Sequence, residues 1–158
     1  MTSTPDSAEV RVAERGDADA IGRLLHDFNV EFGEPTPGSD VMASRVRRLL
    51  EAGEITVLLA GREPDGLALL RFRPSLWSDS LDAYLEELYV APARRGQGRG
   101  RALMEAAIDL ARSRGGGDMH LGTSEADVAA RGLYESLGFS NREGGPDGPI
   151  QYFYEREL

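Results

Sequence analysis

Residues 94–101 read Arg-Arg-Gly-Gln-Gly-Arg-Gly-Arg, a combination of arginine and glycine that suits the binding of an anion. Glycine at positions 96, 98 and 100 permits a tight turn and lets a ligand come close to the backbone N–H groups. A helix that begins here would leave its first N–H groups without intrahelical partners and would place the positive end of its dipole beside them. Together these properties favour a phosphate-bearing ligand.

The same segment concentrates positive charge in an acidic chain. The 158 residues carry 18 arginines and 27 acidic residues, a formal net charge of −9. Residues 94–101 hold four of these arginines and no acid, so the rest of the chain has 14 arginines against 27 acids, a net charge of −13. Arginine can hold a phosphate through two parallel hydrogen bonds. A solvated run of arginines on a surface helix would not by itself explain the three glycines.

The chain contains neither cysteine nor lysine, and these absences exclude several kinds of chemistry. Without cysteine there is no disulfide framework, thiolate nucleophile or cysteine-bound metal. Without lysine there is no Schiff-base catalyst and no Walker-type phosphate loop. His26 and His120 are too few for a multi-histidine site, so we predict no bound metal.

The negative net charge argues against a nucleic-acid or anionic-membrane partner. No segment has the length and hydropathy of a membrane span, and the N-terminus lacks the pattern of a signal peptide. We therefore expect a cytoplasmic protein.

The spacing of the glycines indicates which phosphate ligand to expect. A dinucleotide fingerprint needs a third glycine three residues after Gly98, where this chain has Arg101. Residues 95–100 instead match the pattern Arg/Gln-x-x-Gly-x-Gly/Ala. Together with residues 86–92, Glu-Glu-Leu-Tyr-Val-Ala-Pro, they resemble the acyl-CoA motif of the GNAT N-acetyltransferase superfamily.

A second stretch, residues 127–139, carries the same resemblance. It reads Asp-Val-Ala-Ala-Arg-Gly-Leu-Tyr-Glu-Ser-Leu-Gly-Phe and is similar to the family's Asn-x-x-Ala-x-x-Leu-Tyr-x-x-x-Gly-Phe. Asp127 stands where the family has asparagine, and an ionised aspartate accepts a hydrogen bond but donates none.

The resemblance implies an N-acetyltransferase that moves an acetyl group from acetyl-CoA to a primary amine by direct attack in a ternary complex. It also implies that the pyrophosphate lies on the amides of residues 95–101 and that the pantetheine arm runs beside the preceding strand. A regulatory domain that binds acyl-CoA without transferring the acyl group is the alternative. The residues expected to bind acetyl-CoA are Leu88, Tyr89, Val90, Arg95, Gly96, Gln97, Gly98, Arg99, Gly100, Arg101 and Asp127.

Two proton transfers need catalytic groups. An alkyl ammonium with a pKa near 10.4 costs on the order of 4–5 kcal/mol to deprotonate at pH 7, which a carboxylate could assist. Glu86 and Glu87 are the candidate bases. Strand alternation predicts that they face opposite sides, and Glu86, which shares its side with Leu88 and Val90, is slightly favoured. Both could equally pair with arginine or end a strand. Tyr134 matches the family's tyrosine, which the resemblance implies is the acid that protonates the leaving thiolate.

The acceptor is a small-molecule or peptide amine. Residues 28–39 and 74–82 are expected to shape its site because loops in those positions do so in the family. The acids in and directly beside these segments could attract a cationic amine or could simply serve solubility: Glu31, Glu34, Asp40, Asp79 and Asp82. Phe32, Trp77 and Tyr84 are expected in the core or in the wall of this pocket. Family members are often dimers, so a homodimer is a further expectation.

The elements that position these groups follow from periodicity and turn residues. The sequence predicts one α/β domain over residues 1–158, with a mixed central sheet of about seven strands, helices on both faces and a loose N-terminus over residues 1–8. The predicted helices are 17–32, 39–52, 100–114 and 127–137. The predicted strands are 10–14, 55–60, 67–72, 82–90, 119–123, one beginning at 139, and 150–157.

Overall fold

The computed structural model describes residues 9–158, so the predicted loose N-terminus lies outside the described residues. The chain divides into two compact units, the first ending at Leu121 and the second comprising Gly122–Leu158. Each unit is described in turn.

The first unit is a five-stranded mixed sheet with three helices. Its strands lie in the order β1-β2-β3-β4-β5, and all neighbours are antiparallel except β4 and β5. A parallel pair needs a crossover connection, which α3 provides. The elements are β1 (Val10–Val12), a 3₁₀ turn (Arg15–Asp17), α1 (Ala18–Glu31), α2 (Ser39–Glu51), β2 (Thr56–Ala60), β3 (Gly66–Pro74), β4 (Leu81–Val90), a second 3₁₀ turn (Pro92–Arg94), α3 (Arg99–Ser113) and β5 (Gly116–Leu121).

Both faces of the sheet are covered by helices, as the sequence predicted. Val57 and Leu59 of β2 and Leu67 and Leu69 of β3 form one core cluster with the apolar face of α1 and with Val46 of α2. Their strand neighbours point the other way and are also buried, and α3 contacts these strands from that side. A strand that is buried on both faces has apolar residues at consecutive positions, and this pattern is why residues 55–60 could be predicted as a strand.

A β-bulge in β4 interrupts the alternation that the sequence predicted. Leu69 lies opposite Glu87 and Leu70 lies opposite Leu85, so Glu86 is the extra residue of β4. A bulge of this kind shifts the following side chains to the other face. Consequently Glu87 and Tyr89 lie on the face of the sheet that packs against α1 and α2, whereas Leu85, Leu88 and Val90 lie on the face that packs against α3.

The second unit contains α4 (Val128–Ser136), followed by a segment without regular strands. The two strands predicted after Phe139 are wrong: among the described residues of this unit there is only an isolated bridge, between Arg142 and Ile150. Glycine and proline are dense over residues 144–149, and they disfavour the paired strands that the apolar residues suggested. The predicted class, an α/β fold with a mixed sheet, is confirmed with five strands instead of seven. Across residues 9–158, no helix is long and apolar enough to cross a membrane.

Candidate active site

The loop between β4 and α3 has the backbone geometry of an anion site. Gly96 and Gly98 have φ angles of +72° and +80°, and a Cβ at either position would meet no atom within 4 Å. Glycine is therefore needed at these two positions because of the positive φ angle, and not because a side chain would clash with a neighbour. The carbonyl of Gly98 accepts the first helical hydrogen bond of α3, from the amide of Ala102 at 3.0 Å. The amides before Ala102 consequently project beyond the end of the helix.

The edge of β4 next to this loop is available for pairing with an extended ligand. β4 and β5 pair from Leu81 opposite Gly116 to Leu85 opposite Leu121, and within the described ladder their pairing ends there. β4 continues to Val90 with β3 as its partner on the other side. Residues 86–90 therefore present a strand edge that leads directly into the loop at the start of α3, an arrangement in which main-chain hydrogen bonds can hold an extended molecule.

The side chain of Arg95, the first residue of the predicted motif, is held by hydrogen bonds to other residues of the protein. Its Nε donates to the carbonyl of Val90 at 2.9 Å, and its Nη2 donates to Oε1 of Glu31 at 2.8 Å. The hydroxyl of Tyr89 donates to the same oxygen of Glu31 at 3.1 Å. The Arg95 guanidinium, with help from Tyr89, holds the pKa of Glu31 below its usual value. Glu31, predicted among the acids of the acceptor site, therefore tethers the end of α1 to the loop.

Arg99 is also turned inward. Its side chain is only 3% exposed, and its Nε donates to Oδ1 of Asp65 at 2.9 Å while its Nη1 donates to Oε1 of Gln97 at 2.9 Å. Arg94 lies 3.3 Å from the other oxygen of Asp65. Asp65 was not among the residues predicted for the site. Nothing in the sequence links a single acid in a turn to an arginine 34 residues away.

The positive charge of residues 94–101 is thus largely offset by acids. Arg94, Arg95 and Arg99 are paired with Asp65 and Glu31, and Arg101 lies 4.0 Å from Glu105. These ion pairs hold the loop in place. The predicted role of the glycines fits this geometry better than the predicted role of the arginines as a free patch of charge.

Glu86 and Glu87 lie on the same face of β4, so the predicted opposite placement is wrong. The bulge at Glu86 is the physical reason. Arg71, which shares its side of β3 with Leu69, donates from Nε to Oε2 of Glu86 at 2.6 Å, and Glu87 lies opposite Leu69 itself. The alternative that a glutamate pairs with arginine therefore applies to Glu86.

Glu87 has a carboxyl group whose pKa is shifted toward neutral pH. Its burial, and to a lesser degree the negative charge of Glu86, raise the pKa of Glu87 to about 7. Burial disfavours the charged carboxylate, and a neighbouring negative charge acts in the same direction. Perturbed carboxyl groups of this kind are typical of functional sites. Which of the two glutamates acts as the base stays a prediction.

The side chains of Leu88, Tyr89 and Val90 do not share one environment. Tyr89 is buried in the core and stacks on Phe28, with ring centroids 4.9 Å apart. Leu88 and Val90 are partly exposed. The structure thus brings these three residues, both glutamates and residues 95–101 together in the first unit.

Tyr134 and Asp127 lie on and beside α4 in the second unit. Tyr134 is buried, and its ring lies 6.1 Å from that of Phe139. Burial and the negative charge of Asp127 raise the pKa of Tyr134 to about 12, so its phenol stays protonated at neutral pH. The Asp127 side chain accepts a hydrogen bond from the amide of Ala130 at 3.2 Å and so caps α4.

Three aromatic residues expected in the core or in the acceptor pocket are exposed. Trp77 is 92% exposed in the loop between β3 and β4, and Phe32 and Tyr84 are exposed to a smaller extent. A core position is therefore wrong for all three. A cavity of about 300 Å³ lies at the far end of α3, beside Ile55, Thr56 and Arg114, and contains none of the predicted site residues.

Comparison with known proteins identifies the class as acetyltransferases. A presumed acetyltransferase from Arthrobacter sp. FB24 is 46% identical, with 99% of both chains covered, and its crystal structure superposes with a TM-score of 0.87. YhfO of Bacillus subtilis (strain 168), an uncharacterized N-acetyltransferase, is 28% identical over 137 residues, which are 85% of this chain and 91% of YhfO.

Streptothricin acetyltransferase of Streptomyces lavendulae is 33% identical over 90 residues, which are 57% of this chain. That match spans 47% of the Streptomyces protein, about half of its length. The model of the acetyltransferase (GNAT) family matches residues 21–139. The chain belongs to the acetyltransferase (GNAT) family, and the family membership predicted from its two motifs is confirmed.

Proposed function

We propose that this protein is an N-acetyltransferase that moves the acetyl group of acetyl-CoA to a primary amine by direct attack. The observation that carries the proposal is the strand edge at residues 86–90, which leads into the amides at the start of α3. An extended pantetheine arm can pair with such an edge, and a diphosphate suits the amides of residues 95–101. The match of the Arthrobacter structure to 99% of both chains supports treating residues 1–158 as one acetyltransferase domain.

In the proposed reaction Glu87 accepts the proton of the acceptor amine. The amine nitrogen then bonds to the thioester carbonyl carbon, and the carbon–sulfur bond breaks. The departing thiolate takes a proton from the hydroxyl of Tyr134. The nitrogen gives its second proton back to the phenolate, which leaves a neutral amide, free CoA and an unchanged tyrosine, and Glu87 releases its proton to solvent. A carboxylate with a pKa near the working pH is an effective general base, and a tyrosine that keeps its proton at neutral pH can act as the acid. The chain has no cysteine, so no cysteine acyl-enzyme forms on this route.

The proposed acceptor is a cationic small-molecule amine. Glu34 and Asp79 are exposed acids in the loops predicted to shape the acceptor site, and Asp40 is an exposed acid in the first turn of α2 beside one of them. Acidic surfaces attract cations. The name of the Streptomyces relative points to a small molecule, streptothricin, as the acceptor of that enzyme. Exposed Trp77 offers an apolar surface in one of the same loops.

A cytoplasmic location accords with a chain that has no disulfide.

We also propose a homodimer formed through the end of the chain. Tyr152, Phe153, Tyr154 and Leu158 are all highly exposed. Exposed apolar residues that are close in sequence can mark an interaction surface, and a second copy of the same segment could bury them. Light scattering should find a dimer for the natural chain and a monomer for Phe153→Ser/Tyr154→Ser. A monomeric natural chain would show this proposal to be wrong.

Two assays test the transferase proposal. Isothermal titration calorimetry with CoA measures binding, and release of free thiol from acetyl-CoA across a panel of amines measures transfer. The proposal predicts saturable CoA binding and thiol release that depends on the amine. Binding without any acetylated amine would favour the regulatory alternative, and absence of CoA binding would contradict both.

A further inference from the structure

Arg99 occupies an unfavourable position for a positive charge. It is the first residue of α3, where the helix dipole is positive, and its side chain is almost fully buried. A buried charge is costly unless it is paired and hydrogen-bonded. Its neighbours must therefore compensate for it, and the fold supplies Asp65 for this purpose.

Asp65 connects the two sides of the anion-binding loop. One carboxylate oxygen accepts from Arg99, which follows residues 95–98, and the other faces Arg94, which precedes them. Its backbone is fixed as well, because its amide donates to the carbonyl of Ala60 at 3.1 Å and its carbonyl accepts from the amide of Ala91 at 2.7 Å. The carboxylate is only 16% exposed, so this is not an ordinary surface ion pair.

We propose that Asp65 is a positioning residue for the anion-binding loop. By holding Arg94 and Arg99, it fixes the conformation in which the amides of residues 95–101 receive the diphosphate of CoA. This inference rests on the proposed function, because it assumes that the loop binds CoA. Asp65 itself touches no substrate and has no part in the chemical step.

The chemistry of Asp65 predicts which kinetic parameter depends on it. A loop that is held in its binding conformation before the ligand arrives does not lose that freedom on binding. Without the carboxylate, the buried Arg99 loses the acid to which its Nε donates, which is a severe perturbation. The loop is then expected to leave its binding conformation. The loss should affect CoA affinity, while the turnover of enzyme saturated with both substrates should change little.

The test compares Asp65→Asn with Glu63→Gln, an exposed acid of the same turn that serves as the matched control. Calorimetry with CoA should show Kd rising about tenfold or more for Asp65→Asn, in keeping with the loss of a buried charge pair, and no change for Glu63→Gln. The KM for acetyl-CoA should rise in parallel and kcat should stay within about twofold. Amide hydrogen exchange should be faster over residues 95–101 in the unliganded Asp65→Asn variant.

A further variant separates positioning from loss of folding. In Asp65→Asn/Arg99→Met the buried charge is gone, so the chain should fold, but the loop has lost its connection and CoA affinity should stay low. Affinity equal to that of the natural chain in Asp65→Asn, or in the folded double variant, would overturn the inference and leave the proposed function intact. Failure of the natural chain to bind CoA would instead overturn the proposed function. The exchange measurement would still report whether Asp65 orders the loop.

Discussion

Glu87→Gln is the substitution that most directly probes the chemistry. The side chain keeps its size but cannot accept the proton of the acceptor amine. General-base catalysis contributes roughly 100-fold to 10,000-fold, so kcat should fall by about that factor while CoA affinity is retained. In free energy, the upper value corresponds to about 5.4 kcal/mol of lost transition-state stabilisation.

The pKa of Glu87 also predicts how activity varies with pH. Burial and the charge of Glu86 raise this pKa to about 7, and the base is active only when ionised. Its ionised fraction is about 9% at pH 6, about 50% at pH 7 and about 91% at pH 8. Activity should therefore rise roughly fivefold between pH 6 and 7, rise less than about twofold between pH 7 and 8, and then level off.

The assay is kcat/KM for the amine, measured from pH 5.5 to 9 at saturating acetyl-CoA. Glu86→Gln is the matched control: removing that negative charge should lower the pKa of Glu87, so the inflection moves to lower pH and does not disappear. In Glu87→Gln the inflection should vanish. An inflection near pH 7 that survives Glu87→Gln would refute the assignment of Glu87 as the base.

Three further predictions have defined outcomes. Tyr134→Phe removes the proposed acid, so kcat should fall at least about tenfold while the Kd for CoA is unchanged; equal turnover would remove Tyr134 from that role. Gly98→Ala forces a positive φ on alanine, so it should lower the free energy of unfolding by about 1 kcal/mol and weaken CoA binding. Gly132→Ala lies within α4 and has open space around its Cβ, so it should stabilise the chain. Urea denaturation that ranks the two glycine variants in the reverse order would contradict this reasoning. Hydrogen bonds from Arg11 lower the pKa of Asp17 to about 2, so its stabilising contribution is present above the ordinary value of 3.8 and is lost as the pH falls toward 2. Asp17→Asn should therefore flatten the acid limb of a stability-against-pH curve, and an unchanged limb would count against this ion pair.

Local signals predicted most of the helices. The helix at 17–32 was predicted from its apolar spacing and the following Gly33, and the structure has Ala18–Glu31 with Gly33 at a φ of +70°. The start of α3 was predicted within one residue because Gly98 interrupts the preceding segment. These features are local, so a single sequence contains the information that determines them.

The start of β5 was predicted three residues too late. Gly115-Gly116-Gly117 was interpreted as the end of a helix, yet β5 begins at Gly116. A Cβ on Gly116 would come within 2.7 Å of the carbonyl oxygen of Ala111, so this glycine serves close packing of strand against helix and not only a turn. Sequence alone does not distinguish these two uses of glycine.

The sequence indicated the residues of the candidate site but not the contacts that they make in the fold. The glycines and the two glutamates were identified from residue types and order, since both are contiguous in the chain. The partners of the loop arginines were not, because Glu31 and Asp65 are distant in sequence and only the folded sheet brings them together. The bulge at Glu86 likewise follows from the pairing of β4 with β3, and alternation along one strand could not reveal it.

The central claim is that acetyl passes directly from acetyl-CoA to an amine at the edge of β4. Mass spectrometry of a complete reaction, with protein, acetyl-CoA and a panel of cationic amines, tests it most directly. Direct transfer should yield an acetylated amine, an equal amount of free CoA and a protein of unchanged mass. A protein that acquires the acetyl group as an intermediate, or acetyl-CoA that stays intact with every amine, would contradict it.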